Sequence, residues 1–176
     1  MIIERFINTA KSNFNKTVMM DSLGTSLTYG QTLTAGILIS KHVQEFKGDN
    51  IALLFPASVG GALAHIACAF AGKVPVGLNF LAGREEQEQA LKLCEVKTIF
   101  TSKAFIEKAK IPADPRMVFI EDVRERITKT TKSITYFWSK LRTKQSLIEE
   151  FKRFDAPDKT AIILFTSGSE STPKGV

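Results

Sequence analysis

The chain has 176 residues, a length that fits one domain, and 44% of its residues are hydrophobic, which is enough to form a core. Its formal net charge of +6 is spread along the chain between acidic residues, which argues against the basic stripe of a nucleic-acid-binding protein but favours anionic partners. No apolar run is long enough to span a bilayer, and no C-x-x-C pair or Cys/His set suggests a metal site.

The beginning of the chain and its two cysteines indicate the cellular compartment. Residues 1–5 are too few and too polar for a signal peptide. Cys68 and Cys94 both lie in apolar sequence, where a cysteine behaves as a small hydrophobic residue. We therefore expect a cytoplasmic protein with two buried, reduced thiols.

Apolar periodicity, capping residues and turn residues divide the chain into alternating helices and strands. Helices are expected at residues 2–14, 30–46, 59–71, 82–95 and 102–109. Strands are expected at residues 17–21, 26–29, 51–55, 96–101, 117–120 and 160–165, with a short one after Gly72. Thr28 is placed to cap the second helix and Gly48 to close it.

The order of elements from residue 51 onward predicts the fold class. Strands and helices alternate as β-α-β-α-β-α-β, which favours an α/β fold with a mainly parallel sheet flanked by helices. We expect Ile51–Phe55, Val96–Thr101 and Ile162–Phe165 to be central strands, because their continuous apolar runs suit burial on both faces of a sheet.

Two features that could suggest catalysis have a simpler structural explanation. His65 lies on an apolar helix, with no Ser, Cys or acidic partner at a suggestive spacing. The acidic residues within 84–89 form the solvated face of a helix, and nothing buries a carboxylate pair there. We therefore predict no catalytic residue and no metal ligand in this chain.

Residues 129–153 combine basic and apolar residues at near-helical spacing. Ile134, Phe137, Trp138, Leu141 and Leu147 alternate with lysines and arginines. One interpretation is an ordinary helix that packs on the domain. The others are peripheral contact with an acidic membrane surface on the cytoplasmic side, or contact with an acidic carrier protein.

The end of the chain has the composition of a phosphate-binding loop. The apolar run 160–165 stops at Thr166–Thr172, which contains five hydroxyl side chains, and Pro173, Lys174 and Gly175 follow. Glycine, backbone N–H groups, hydroxyls and a lysine together suit an anion. A Ser/Gly linker and a capped helix start are alternatives. The Walker A motif is excluded, because Pro173 stands where it requires Gly and Gly175 where it requires Ser or Thr.

These residues also carry a family resemblance. Thr166-Ser167-Gly168-Ser169, followed by Pro173-Lys174-Gly175-Val176, resembles the signature loop of the AMP-forming acyl-activating enzymes, with Glu170 and Ser171 as departures. Residues 27–29, 48–54 and 71–79 resemble the earlier part of that fold. Ile163–Glu170 is most similar to the acyl-acyl-carrier-protein synthetase branch, whose domain is often fused to a lysophospholipid acyltransferase of phospholipid metabolism.

The resemblance implies that residues 1–176 are part of the N-terminal subdomain of such a ligase and end in the signature loop, residues 166–176. It implies that ATP and Mg²⁺ are cofactors, and that a fatty acid or other carboxylate becomes an acyl-adenylate and then a thioester on acyl carrier protein or CoA. The phosphate-binding residues it implies are Thr166, Ser167, Gly168, Ser169, Lys174 and Gly175.

The same resemblance places the remaining catalytic groups after Val176, so we expect a fragment of the enzyme that is inactive alone. A non-catalytic module of the same fold, binding a nucleotide or a partner, is the alternative. A Rossmann-like domain with another ligand is weakened by the lack of G-x-G-x-x-G after a strand.

Overall fold

The computed structural model describes residues 2–22, 24–155, 158–166 and 174–175. Its helices are α1 (Ile2–Ser12), α2 (Tyr29–Val43), α3 (Val59–Ala71), α4 (Arg84–Leu93), α5 (Lys103–Ala109), α6 (Ile120–Arg126), α7 (Lys129–Leu141) and α8 (Lys144–Phe151), and a 3₁₀ turn spans Lys152–Phe154. Its strands are β1 (Thr17–Met20), β2 (Ser26–Thr28), β3 (Asn50–Leu54), β4 (Val74–Gly77), β5 (Thr98–Thr101), β6 (Met117–Phe119), β7 (Ile163–Thr166) and β8 (Lys174–Gly175).

Five parallel strands form the main sheet, in the order β6-β5-β3-β4-β7, and the two-residue β8 pairs antiparallel with β7 at one edge. β1 and β2 form a separate antiparallel hairpin. The predicted α/β fold with a mainly parallel sheet flanked by helices is therefore confirmed. The short strand after Gly72 is β4, which pairs with β3 from Asn50 to Leu53.

Alternation along the strands divides the core between the two faces of the sheet. On one face, Ala52, Leu54 and Ile99 pack against α4. On the other face, Ile51, Leu53 and Phe100 pack against α2, α3 and α6. A further apolar cluster joins α1, α2, α3 and α8 outside that layer; it contains Ile7, Leu33, Phe70, Leu147 and Phe151.

Side-chain caps fix the starts of the helices that carry the sheet connections. Thr28 accepts a hydrogen bond from Gln31 N at 3.2 Å, and Gln31 Oε1 accepts one from Thr28 N at 2.8 Å, which completes a capping box. Ser58 caps α3 by accepting a hydrogen bond from Gly61 N, and Ser102 caps α5 by accepting one from Phe105 N. Such caps each stabilise a helix by about 0.5–2 kcal/mol, and the Thr28 cap was predicted from the sequence.

The segment before β7 is attached to the start of α1 and to the residue that follows α3. The Asp155 carboxylate accepts hydrogen bonds from Ile3 N at 3.3 Å and Glu4 N at 3.0 Å, at the start of α1. A carboxylate at a helix N-terminus is favourable because the first amides lack helical partners. Lys159 Nζ donates to the carbonyl of Gly72, which follows α3. The entry to β7 is thus held by contacts with distant parts of the chain.

Two expectations about the second half of the chain were wrong in detail. Residues 129–153 form two helices, because Arg142 is extended and Thr143 starts α8 by accepting a hydrogen bond from Ser146 N at 3.2 Å. β7 is not buried on both faces: Ile163 and Phe165 pack toward the α4 side, while Leu164 is 51% exposed. β7 lies at the edge of the parallel part of the sheet, so its second face lacks the cover that a central strand has.

Candidate functional site

The carboxyl ends of the parallel strands meet at one edge of the sheet, where α/β proteins bind their ligands. Leu54, Gly77, Thr101, Phe119 and Thr166 end the five strands there. A buried hydrogen bond of 2.6 Å from Thr101 Oγ1 to the carbonyl of Leu54 ties the ends of β5 and β3 together. This edge is therefore a rigid support for any loop that follows the strands.

The signature loop leaves this edge from β7 and returns to it as β8. Thr166 pairs with Lys174, and Phe165 pairs with Gly175, in an antiparallel register. The backbone of Lys174 consequently lies beside the end of β7, although seven residues separate it from Thr166. The hairpin brings the two ends of the loop together at the carboxyl edge, where a phosphate site would be expected.

Three of the six predicted phosphate-binding residues, Thr166, Lys174 and Gly175, are placed by this pairing at the level of the backbone. The other three, Ser167, Gly168 and Ser169, lie outside the described residues, as do Glu170 to Pro173. The phosphate-binding role of all six residues stays a prediction.

The N-terminus of α3 also points to this edge, but the chain's own groups occupy it. Ser58 Oγ accepts a hydrogen bond from Gly61 N at 3.2 Å. Asp21 Oδ2, from the loop between β1 and β2, accepts one from Val59 N at 3.1 Å. A helix N-terminus favours anions, and here a carboxylate of the protein already fills that role.

The N-terminus of α5 is filled in the same way by Glu121. Ser102 Oγ donates to Glu121 Oε1 at 2.7 Å, and the amide of Lys103 donates to Glu121 Oε2 at 3.0 Å. Burial alone would raise the pKa of Glu121, but the hydrogen bonds from Ser102 and from backbone amides outweigh burial and lower it. Glu121 is thus ionised at neutral pH, and α5 offers no vacant place for a ligand anion.

The first turn of α4 contains Glu85 and Glu86, whose charges also oppose an approaching anion. The N-termini of α3 and α5 thus already carry carboxylates, whereas the β7–β8 hairpin carries the basic residue Lys174. The sequence pattern identified the loop that this hairpin carries but did not predict β8, whereas the roles of Asp21 and Glu121 depend on contacts between distant residues and left no local signal.

The remaining reactive side chains behave as expected for core residues. Cys68 and Cys94 are buried free thiols, as predicted, and burial raises the pKa of Cys68 to about 12. His65 is half-buried, and burial lowers its pKa. Within the part of the chain that the structure describes, no group of three or more His, Cys, Asp or Glu residues is arranged to hold a metal ion.

A cavity of about 420 Å³ lies at the opposite edge of the sheet, lined by Gln44, Asp49, Ala71, Gly72, Lys73, Arg153, Phe154 and Lys159. Two of its cations already have structural partners. Lys73 Nζ donates to the carbonyl of Gly48 at 2.7 Å, and Lys159 donates to the carbonyl of Gly72. These lysines stabilise loop carbonyls, so the cavity is a weaker candidate than the carboxyl edge.

Comparison with known proteins assigns the chain to a family. The sequence profile described as AMP-binding enzyme matches residues 6–176. The chain belongs to the AMP-binding enzyme family. This match includes the signature loop as well as the sheet and helices that support it, and it agrees with the resemblance seen in residues 166–176.

Individual family members and solved structures agree with the assignment. 4-coumarate–CoA ligase 4 of Arabidopsis thaliana is 24% identical over 182 residues, covering 99% of this chain and 32% of that enzyme. O-succinylbenzoate coenzyme A synthetase (MenE) of Bacillus subtilis, in complex with AMP, has a TM-score of 0.70 at 17% identity, covering 97% of this chain and 40% of that one. A fatty acyl CoA synthetase of Mycobacterium tuberculosis has a TM-score of 0.66 at 20% identity, covering 99% and 34%.

These similarities establish the fold as that of the N-terminal domain of adenylate-forming enzymes. The chain spans about a third of the length of the curated relative and at most two fifths of these solved structures. At such identities, none of them distinguishes the acyl-acyl-carrier-protein synthetase branch from the others. Among the described residues, no helix is both long and apolar enough to cross a bilayer.

Proposed function

We propose that this chain is the phosphate-binding part of an ATP-dependent ligase that activates a carboxylate as an acyl-adenylate. The observation that carries the proposal is the β7–β8 hairpin, which sets Lys174 beside Thr166 at the carboxyl edge of the sheet. Family membership over residues 6–176 supports the same function. The filled N-termini of α3 and α5 add support, because they leave the hairpin as the natural place for a phosphate.

The proposed chemistry has two half-reactions. In the first, a carboxylate oxygen attacks the α-phosphorus of ATP, the bond to the bridging oxygen breaks, and pyrophosphate leaves with the electron pair. In the second, a thiol attacks the acyl carbon and releases AMP, while its proton passes to a base. Lys174 and the amides and hydroxyls of the signature loop would hold the β- and γ-phosphates and stabilise the charge that develops on pyrophosphate.

Mg²⁺ would enter with ATP, as the cation that bridges and neutralises its phosphates. Oxygen donors suit this ion, and Ser169 and Glu170 are the loop residues that could contact it. When bound, Mg²⁺ neutralises part of the phosphate charge. Glu170 would otherwise face solvent, because a carboxylate close to a phosphate costs energy.

The finer assignments extend this proposal. A fatty acid is the proposed carboxylate, with acyl carrier protein or CoA as the acceptor. The residues in favour of acyl carrier protein are Ile163–Glu170, which resemble the acyl-acyl-carrier-protein synthetase branch. A fused acyltransferase and a role in phospholipid metabolism would follow from that branch. The alternative is a non-catalytic module of the same fold that binds a nucleotide or a partner without turnover.

The test compares ATP affinity in the chain extended to the length of its relatives and in its Lys174→Ala variant by calorimetry, at fixed Mg²⁺ and salt. A charge-assisted hydrogen bond contributes about 1.5–3 kcal/mol, so ATP affinity should fall at least about tenfold. Lys108→Ala is the matched control, because it removes an exposed lysine of α5 and should leave affinity unchanged. Equal affinity in wild type and Lys174→Ala would remove the phosphate role from Lys174.

A pyrophosphate-release assay separates the enzyme from the non-catalytic alternative. We expect no turnover by the 176-residue chain with ATP and a panel of fatty acids. We expect turnover when the chain is extended to the length of its relatives, with the thioester formed on one of the two acceptors. An extended protein that binds ATP but releases no pyrophosphate would favour the non-catalytic module.

A further inference from the structure

Helix α7 carries an apolar face that the rest of the described residues leave uncovered. Ile134, Phe137, Trp138 and Leu141 follow the i, i+3, i+4, i+7 spacing of one helix face. Their exposed fractions are 62%, 63%, 57% and 82% respectively. Single exposed apolar residues are ordinary on protein surfaces, but four large ones on one face of one helix indicate a binding surface. We refer to these four side chains as the exposed α7 face.

The other side of α7 is firmly attached to the domain. Ser139 is buried, and its hydroxyl lies 3.2 Å from that of Thr34 on α2. Lys11 Nζ donates to the carbonyls of Ser139 and Lys140 at 2.8 Å and 2.7 Å. Tyr136 packs against Phe14, with ring centroids 5.3 Å apart. The exposed α7 face is therefore presented by a fixed helix and does not result from fraying.

Basic residues predominate along α7, although one of them, Arg142, pairs with the carboxylate of Glu150 on α8. Residues 129–142 contain four basic residues, Lys129, Lys132, Lys140 and Arg142, and no acidic residue. The guanidinium of Arg142 lies 4.4 Å from the Trp138 ring centroid, so one cation directly borders the face. Trp and long basic side chains together are typical of helices that lie where lipid headgroups meet acyl chains.

We propose that α7 binds the surface of an anionic lipid bilayer, with the exposed α7 face inserted among the headgroups and its basic residues on the anionic lipids. The helix has 13 residues, which is too short to span a bilayer but long enough to lie along its surface. The proposal goes beyond ATP chemistry and does not depend on it.

Other occupants of this surface are less well matched. A second copy of the chain would bring together two sets of three lysines, Lys129, Lys132 and Lys140, and their repulsion would oppose association. An acidic protein would satisfy the charges, but it would have to supply an apolar groove for four large side chains as well. An anionic bilayer offers both negative charge and apolar depth, so it matches both observations at once.

Trp138 provides the assay, because it is the only tryptophan in the chain. Its fluorescence is recorded while the 176-residue chain is titrated with vesicles of phosphatidylcholine, with or without phosphatidylglycerol. We expect a blue shift, quenching by brominated lipids and co-sedimentation with the anionic vesicles only. Raising the salt concentration should weaken binding, since surface charges are screened within about 8 Å at physiological ionic strength.

Three variants locate the contact and test its dependence on charge. Phe137→Ser/Leu141→Ser removes apolar area from the exposed α7 face and should weaken vesicle binding at least about tenfold. Leu93→Ser is the control, because Leu93 is also exposed, to 63%, but lies on α4. A third variant, Lys132→Gln/Lys140→Gln, should flatten the salt dependence. Circular dichroism checks that each variant is folded, which is expected because all five substituted side chains are exposed.

The results decide between the possible occupants. Equal vesicle binding by Phe137→Ser/Leu141→Ser and Leu93→Ser would overturn the proposal, as would absence of binding to anionic vesicles. A blue shift that appears without lipid and grows with protein concentration would assign the face to a second copy. A blue shift with polyglutamate but not with vesicles would assign it to an acidic protein. None of these outcomes affects the ATP-site proposal, which is tested by calorimetry without lipid.

Discussion

Gly72, directly after α3, is a position where both the backbone and the available space require glycine. Its φ is +73°, in the left-handed region, and a Cβ built there would lie 2.3 Å from Cδ1 of Phe154. Gly24 provides a matched comparison, because its φ is +81° and nothing lies within 4 Å of its Cβ position. The same substitution at the two sites therefore separates backbone strain from steric overlap.

The expected losses follow from these two contributions. A left-handed conformation costs a non-glycine residue about 1–2 kcal/mol, so Gly24→Ala should lower the free energy of unfolding by that amount. Gly72→Ala adds the displacement of Phe154, and overpacking costs about 1–3 kcal/mol more. The total expected for Gly72→Ala is thus about 2–5 kcal/mol, or several degrees in Tm for a chain of this size.

Urea denaturation followed by circular dichroism measures both variants. Adding Phe154→Ala to Gly72→Ala removes the overlap, so the pair should be coupled in a double-mutant cycle. Equal losses in the free energy of unfolding for Gly24→Ala and Gly72→Ala would refute this reasoning. It would also be refuted if Phe154→Ala lowered the free energy of unfolding by the same amount in Gly72→Ala as in the wild type.

Two further predictions concern pH and thiol chemistry. Hydrogen bonds from Arg116 lower the pKa values of Glu88 and Asp114. The stabilisation that these two carboxylates contribute is therefore complete above the ordinary carboxylate pKa of about 4, and it is lost as the pH falls through their lowered pKa values in the folded protein. Arg116→Gln should therefore lower the free energy of unfolding at pH 7. It should also make the free energy of unfolding fall less steeply between about pH 5 and pH 2. The same pH dependence in the variant and the wild type would contradict this. Cys68 should resist iodoacetamide at pH 8 in the folded protein and react fully in urea, as mass spectrometry would show; rapid labelling of the native thiol would contradict its burial.

The sequence predicted the elements best where short-range signals agree with one another. Helix α3 spans Val59–Ala71 as predicted, since Ser58 supplies the cap at one end and Gly72 the left-handed residue at the other. The break between α7 and α8 was missed because apolar spacing continues across it, and no Gly or Pro marks the position. The available signal was Thr143, a residue type that can cap a helix and here accepts a hydrogen bond from Ser146 N. A single threonine is a weak indication of a helix start.

Burial of β7 was predicted wrongly for a different reason. A continuous apolar run shows that a strand could be covered on both faces, but only its neighbours determine whether it is. Leu164 lies at the edge of the parallel part of the sheet and is half exposed. In the candidate site, too, local features could be predicted and long-range ones could not. The signature loop was recognised from adjacent residues. The hydrogen bonds of Asp21 to the α3 N-terminus and of Glu121 to the α5 N-terminus join residues far apart in the sequence.

The hydrogen bonds between Asp155 and the start of α1 have a consequence for the order of folding. They join residues 152 and 151 positions apart, so this closure is entropically costly and should form late. Because β7 follows the same segment, the strand that carries the signature loop should acquire its final register only after the first helix has docked. Any change to residues 2–4, such as a bulky affinity tag, would then delay the formation of a hairpin at the far end of the chain.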